Sequence, residues 1–200
     1  MRLNARMAAI GAALAVAIWF LTTPLSGRQA DEEKVAKEIR EILFKLADAI
    51  EKNNAAETSK QTEALKKYDL LPIMQQMKLR ANGGIGIGSP GTVTPDGIEA
   101  KLIGMARKPL PAGELNKAGP DLARAAYIMA AIAEVTKSKS PVKTKMGEKD
   151  PKDWAKWTED MGKFARELAK ASQAKDAAQV KAAATNLNST CNNCHGVFRD

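Results

Sequence analysis

Both cysteines and the single histidine of this chain lie within five consecutive residues near its C-terminus, Cys191-Asn192-Asn193-Cys194-His195. On a helix, residues three positions apart share one face, so this spacing sets two thiols side by side, followed at once by an imidazole. The segment therefore has to be folded as a helical turn against something that uses all three groups. No sulfur is left over for structural disulfides elsewhere.

Four uses of such a cluster were weighed. A redox dithiol usually opens a helix in an α/β domain, whereas no strand pattern accompanies this one. A closed zinc site needs a fourth ligand, and three ligands within five residues give poor tetrahedral geometry. A disulfide across the two thiols leaves the histidine unexplained. Covalent attachment of haem c accounts for all three residues: Cys191 and Cys194 as thioether anchors and His195 as the proximal iron ligand.

The N-terminal end is compatible with such chemistry. Arg2 and Arg6 precede an uncharged stretch, Met7 to Gly27, with an apolar centre from Ala8 to Leu21. A basic start followed by an apolar run is the layout of an export signal, although no A-x-A-like cleavage pair follows. The run is also just long enough to cross a bilayer, so residues 1–30 are either a signal peptide or an N-terminal membrane anchor. No cysteine follows the run to be lipidated. Both alternatives predict a periplasmic or otherwise extracytoplasmic domain, the anchor being its one route to the membrane.

Residues 31–200 suffice for one domain with a real core. Alanine, lysine, glutamate and leucine dominate, and aromatic residues make up 4%. That balance predicts an all-α fold. Of the eight net positive charges, three come from Arg2, Arg6 and Arg28, with no acid before Asp31. The remaining five lie among lysines interspersed with acids, which reads as a solvated surface and not as a nucleic-acid patch. A mild preference for an acidic redox partner protein is as far as the charge goes.

Periodicity predicts the elements. Asp31 is the expected cap of a first helix ending near Asn53, with Val35, Ile39, Ile42, Leu46 and Ile50 as its stripe. A second helix is expected from Ala56 towards Arg80, carrying Leu65, Tyr68, Leu71 and Met74, with a kink at Pro72. Residues 82–97 contain six glycines and two prolines, a long loop of a kind often functional or partly disordered. Thr94-Pro95 reads as cap and first residue of a short helix ending before Pro109, and Asp121 to Thr136 as another helix. Residues 137–149 form a basic linker. Asp150-Pro151 then starts a helix with Trp154, Trp157, Met161, Phe164, Leu168 and Ala171 on one face. After a break at 173–176, Val180, Ala184, Leu187, Cys191, Cys194 and Phe198 continue that rhythm on a last helix, aiming the cysteines into the bundle.

A weak internal similarity runs at a constant shift of 122 residues. Leu46-Ala47, Ala49, Ala55-Ala56 and Leu65 correspond to Leu168-Ala169, Ala171, Ala177-Ala178 and Leu187. Alanine-rich helices generate such matches readily, so coincidence is the default.

Residues 154–199 resemble the C-terminal half of class II c-type cytochromes, the cytochrome c-prime group. The resemblance rests on a helix–turn–helix ending in Cys191, Cys194 and His195, followed by Phe198 and Arg199. It implies a four-helix bundle, here with an additional helical region and the Gly-rich loop, and haem surroundings that include Phe198 and Arg199. It also implies thioethers at Cys191 and Cys194 and a fifth ligand at His195. Low-spin relatives take a sixth ligand from a methionine of the first helix, but no methionine lies between Asp31 and Ile73. Two distal arrangements follow. A first helix over the iron would put Leu43, Phe44 or Leu46 there and leave it five-coordinate. A second helix would offer Met77, the preferred candidate, or Met74.

Three functions are open: a one-electron carrier, favoured here; a binder or sensor of a diatomic gas such as NO or CO; and a bundle that haem merely stabilises. No nucleophile–base pair or carboxylate cluster suggests an enzyme. A homodimer is one assembly open to the chain.

Overall fold

The computed structural model describes residues 25–199, with side chains from residue 29 onward. The expected signal peptide or anchor lies almost wholly outside the described residues, and among these no helix is long and apolar enough to cross a membrane.

Seven α-helices and no strands make up the described chain: α1 (Leu25–Glu51), α2 (Ala55–Leu65), α3 (Leu70–Met74), α4 (Ile98–Arg107), α5 (Ala112–Thr136), α6 (Pro151–Gln173) and α7 (Ala177–Phe198). The all-α bundle agrees with expectation. Packing neighbours run α2, α1, α5, α6, α7, α4. Helix α5 is the centre, buried almost continuously from Leu122 to Thr136. A helix apolar on all sides has to be surrounded, and α1 and α6 enclose it. Helices α5 and α6 run antiparallel. The Trp154 indole N–H donates to the Thr136 carbonyl (2.9 Å), joining the start of α6 to the end of α5. At the other end of this pair, Gly119 of α5 lies so near the Ser172 carbonyl that a Cβ would come within 2.8 Å of it.

Four boundaries differ from the sequence reading. Helix α1 already includes Leu25, the first described residue, so Asp31 lies inside it and caps nothing. The expected second helix is broken. α2 stops at Leu65, Asp69 is extended, and α3 begins at Leu70. Pro72 thus sits in the first turn of α3, where a missing N–H costs nothing, and produces no kink. Leu71 is consequently turned outward, 67% exposed. Thr94-Pro95 is a cis peptide within the loop, and α4 starts three residues later with Gly97 as its cap. Helix α5 starts at Ala112, nine residues before Asp121. Pro120 is accommodated inside it, because tertiary packing overrides its local penalty.

The two hairpins α1–α2 and α6–α7 share one geometry at the shift of 122. Asn53 and Lys175 both adopt left-handed backbone (φ 52° and 57°). Asn54 and Asp176 both cap the next helix, the first accepting from the Glu57 N–H and the second from Gln179 N–H, at 3.0 Å each. Their own N–H groups reach back to Ala49 (2.8 Å) and Ala171 (3.1 Å). The corresponding residues Gln173 and Glu51 are hydrogen-bonded to one another (3.0 Å). The correspondence therefore extends from composition to backbone geometry, as a duplicated hairpin would show. It ends where chemistry begins: Asp69, Pro72 and Ile73 stand where the second hairpin has Cys191, Cys194 and His195.

The Gly-rich segment is ordered around one carboxylate. Asp96 accepts from the Arg80 Nε (2.7 Å), the Arg80 Nη2 (3.2 Å) and the Ile87 N–H (2.8 Å). Ile85, Ile87 and Val93 are buried in the common core. Gly84 is required by close approach, since any Cβ there would run into the Lys78 carbonyl. Buried Lys101 ties the end of the loop down, donating to the Thr94 carbonyl (2.9 Å) and pairing with Glu114 of α5.

The Arg80 guanidinium, desolvation and the Ile87 N–H act together on Asp96, and the net effect lowers its pKa below the ordinary carboxylate value. A lowered folded-state pKa contributes stability that is present above the unfolded value, roughly pH 4, and is lost as pH falls through the folded value. Asp96→Ala should therefore cost about 2 kcal/mol at pH 7, because it orphans Arg80 and the Ile87 N–H. Urea unfolding should show this difference shrinking below about pH 4, where the wild type loses the same charge.

Candidate functional site

Helix α7 presents its buried stripe, Val180, Ala183, Ala184 and Leu187, towards the interior. Cys191 and Cys194 continue that stripe one and two turns on, where the helix emerges from the core. Cys191 packs against the core edge, both thiols are half-buried, and the side of His195 is exposed. The motif thus sits where α7 leaves the core, with its thiols half-buried and its imidazole exposed. Stripe continuity predicts direction but not how far neighbouring helices extend.

Beside the motif lies an open-mouthed cavity lined by Met74, Met77, Glu99, Leu102, Ile103, Trp157, Met161, Cys191, Cys194 and His195 among others. Four elements converge on it, and Thr136 at the end of α5 completes the wall. The end of α7 carries the thiols and imidazole, and the first turns of α6 carry Trp157 and Met161. The start of α4 carries Glu99, Leu102 and Ile103, and the segment ending α3 carries Met74 and Met77. The expectation that the first helix might cover this region is not met: Leu43 and Leu46 are fully buried elsewhere in the core, and Phe44 lines a different cleft.

The turn bearing Met77 is held from three directions. Met77 closes a 3-10 turn, Gln75–Met77, whose middle residue Gln76 is buried. The Gln76 amide donates to the Pro72 carbonyl (3.2 Å), its carbonyl oxygen accepts from the Arg40 Nε of α1 (3.4 Å), and its backbone carbonyl accepts from the Ile85 N–H (2.9 Å). The Gly-rich loop therefore does not close over the cavity. It buttresses the methionine-bearing turn from behind, and none of residues 82–97 lines the cavity.

Phe198 and Arg199 do not border the cavity either. Phe198 makes edge-on contacts with Trp154 (5.1 Å between ring centres) and Trp157 (5.9 Å). It pins the last turn of α7 to the start of α6. Arg199 lies past the helix end, exposed, its N–H donating to the His195 carbonyl (3.2 Å).

The thiol environment separates the readings left open by the motif. Burial first, then the neighbouring Cys194 and Glu99, push the Cys191 thiol up to about 11, and burial also raises Cys194. A redox dithiol needs the opposite, a nucleophilic thiolate at a helix N-terminus, and this pair sits at a C-terminus. Among the described residues no group of three or more histidine, cysteine or acidic side chains converges as a metal cage. The haem reading fits. Two adjacent thiols edge a mostly apolar space with an imidazole next to them.

Residues 106–199 match the family model described as cytochrome C'. This segment resembles a class II c-type cytochrome. The match reaches back from the helix–turn–helix through α5 to the end of α4, slightly less than half of the chain, and it supports a c-type haem cytochrome. No curated protein and no solved structure matches.

Sequence reasoning missed α4 as a wall of the site, along with Trp157 and Met161 as lining residues. A signal for α4 was present in the spacing of Ile98, Leu102 and Met105, all buried. Which cavity they would border depends on the long chain path between α4 and α7.

Phe198→Ala should remove the aromatic clamp on the motif-bearing turn. The expected cost is about 2 kcal/mol for a half-buried ring with two aromatic neighbours. Hydrogen exchange should show faster opening of residues 191–198 with the α7 N-terminal half unchanged. Uniform acceleration along α7 would contradict this local role.

Proposed function

We propose that this chain is an exported monohaem c-type cytochrome that carries single electrons. Cys191 and Cys194 hold the haem as two thioethers and His195 is its proximal ligand. Bound haem supplies a reversible one-electron iron couple, and the protein supplies everything that tunes it. The observation that carries the electron-transfer reading is the company the motif keeps: Met74, Met77 and Met161 line the same cavity as the thiols and imidazole. A thioether sulfur as sixth ligand favours the reduced iron and raises the potential. Met77 is the chosen ligand and Met74 the second choice, because the Gln76 and Arg40 hydrogen bonds fix their turn. Met161 is taken as wall, being buried within α6.

The remaining lining residues serve the same end. Leu102 and Ile103 keep water from the space, and the half-exposed α7 end leaves an edge through which an electron can pass. Export rests on the basic and apolar layout of residues 1–27, which points to the extracytoplasmic side. The chain is proposed to be no enzyme: its one imidazole is used on iron, and no nucleophile–base pair stands out in the sequence.

Protein produced with haem-attachment machinery should retain its colour after acid–acetone extraction and weigh one haem more than the polypeptide. Loss of both would remove the attachment reading. The reduced protein should show sharp α and β bands that barely respond to carbon monoxide. Met77→Ala should abolish that low-spin spectrum, and an unchanged spectrum would exclude Met77 as the ligand. A broad visible band shifting with carbon monoxide in the wild type would replace the carrier with a gas-binding protein.

A further inference from the structure

Residues 137–152 carry six lysines and two acids, Glu148 and Asp150. The segment leaves α5 at Thr136 and joins α6 just before Trp157 and Thr158, and these three residues all line the cavity. It is a built platform. Lys139 donates to the carbonyls of Tyr68 (2.6 Å) and Lys66 (3.1 Å), carrying the loop across to the chain that leads into Met74 and Met77. Val142 is buried, with the Ser140 hydroxyl donating to its carbonyl (2.7 Å). Met146 and Lys149 exchange two backbone hydrogen bonds (2.8 and 3.0 Å) around Gly147, and this tight turn holds Met146 outward, 65% exposed. Lys143, Lys145 and Lys152 are exposed and form no ion pair. A positive rim with one apolar tip, anchored on the cavity wall, complements an acidic surface.

We propose that the loop 137–149, with Met146 at its tip, is the docking face for an acidic one-electron redox protein. The inference rests on the carrier reading above. In the exchange the iron loses one electron as the partner's redox centre gains it, or the reverse, with no bond made and no proton moved. The lysines raise the encounter rate, and Met146 supplies a contact that survives salt.

The test uses the full-length, haem-loaded, reduced protein with two oxidants in stopped flow: hexacyanoferrate(III) and an acidic blue-copper protein. The variant K143E/K145E should slow both oxidations at least about fivefold at low ionic strength. The difference should vanish near 0.5 M salt, where the screening length shrinks to a few ångströms. K52E/K117E, an equal charge change at the opposite end of the bundle, should leave both rates within about twofold of wild type, since screening blunts distant charges. Met146→Ser should slow only the blue-copper reaction, at high salt as well as low. Equal slowing by the two double variants would reduce the effect to net charge and overturn the proposal. So would unchanged rates in K143E/K145E together with lost binding to phosphatidylglycerol vesicles, which would make the loop a membrane contact. Failure of the carrier reading is separately visible: an absent or carbon-monoxide-responsive haem spectrum appears before any rate is measured, and takes the docking face down with it.

Discussion

The fold depends on the burial of one helix. From Leu122 to Thr136, α5 is so uniformly apolar that it is stable only when enclosed, and α1 and α6 with their attached helices do the enclosing. Its C-terminal residue then becomes part of the site wall, because the Trp154 indole is hydrogen-bonded to the Thr136 carbonyl. The core and the candidate haem site thus meet at the end of α5. Packing that orders the bundle also orders the first turn of α6, on which Phe198 closes the motif-bearing helix.

The two hairpins offer a physical view of how a site arises on such a scaffold. Both use the same left-handed residue, the same capping position and the same returning hydrogen bond. Beyond Leu65 and Leu187 they part. The second helix runs on for three more turns and presents sulfur and imidazole; the first stops, turns, and delivers methionines on a short helix restarted at Leu70. The cavity lies between these two continuations. The glycine-rich segment belongs to that arrangement as support, with Asp96 and Arg80 fastening it and Ile85 bracing the turn before Met77.

Much of this was legible residue by residue. The α6–α7 hairpin was readable because its signals are local: Asp150 and Asp176 cap with their own side chains, and the apolar stripe of α6 follows the helical repeat. Asn53-Asn54 marked a turn for the same reason. The errors fell where local chemistry is overruled. The helix expected to begin at Asp121 runs back to Ala112 with Pro120 inside it, and Pro72, expected as a kink, lies in the first turn of α3. The glycines of residues 82–97 suggested looseness, yet their freedom is what allows close approach to Lys78 and Arg80. Composition cannot distinguish a glycine that is flexible from one that is squeezed.

What the sequence by itself determined was the chemistry of the motif: two thiols on one side of a helical turn with an imidazole next to them follow from covalent spacing and the 3.6-residue repeat. Helical class and the order of the last two helices follow equally from periodicity. Only the tertiary structure decided which side chains face that motif. Bringing Met74, Met77, Leu102 and Trp157 to one cavity joins segments up to about 120 residues apart, and chain closure over such distances is set by packing among all the helices. It also gave Phe198 a clamping contact, because the face of α7 it occupies meets two tryptophans of α6.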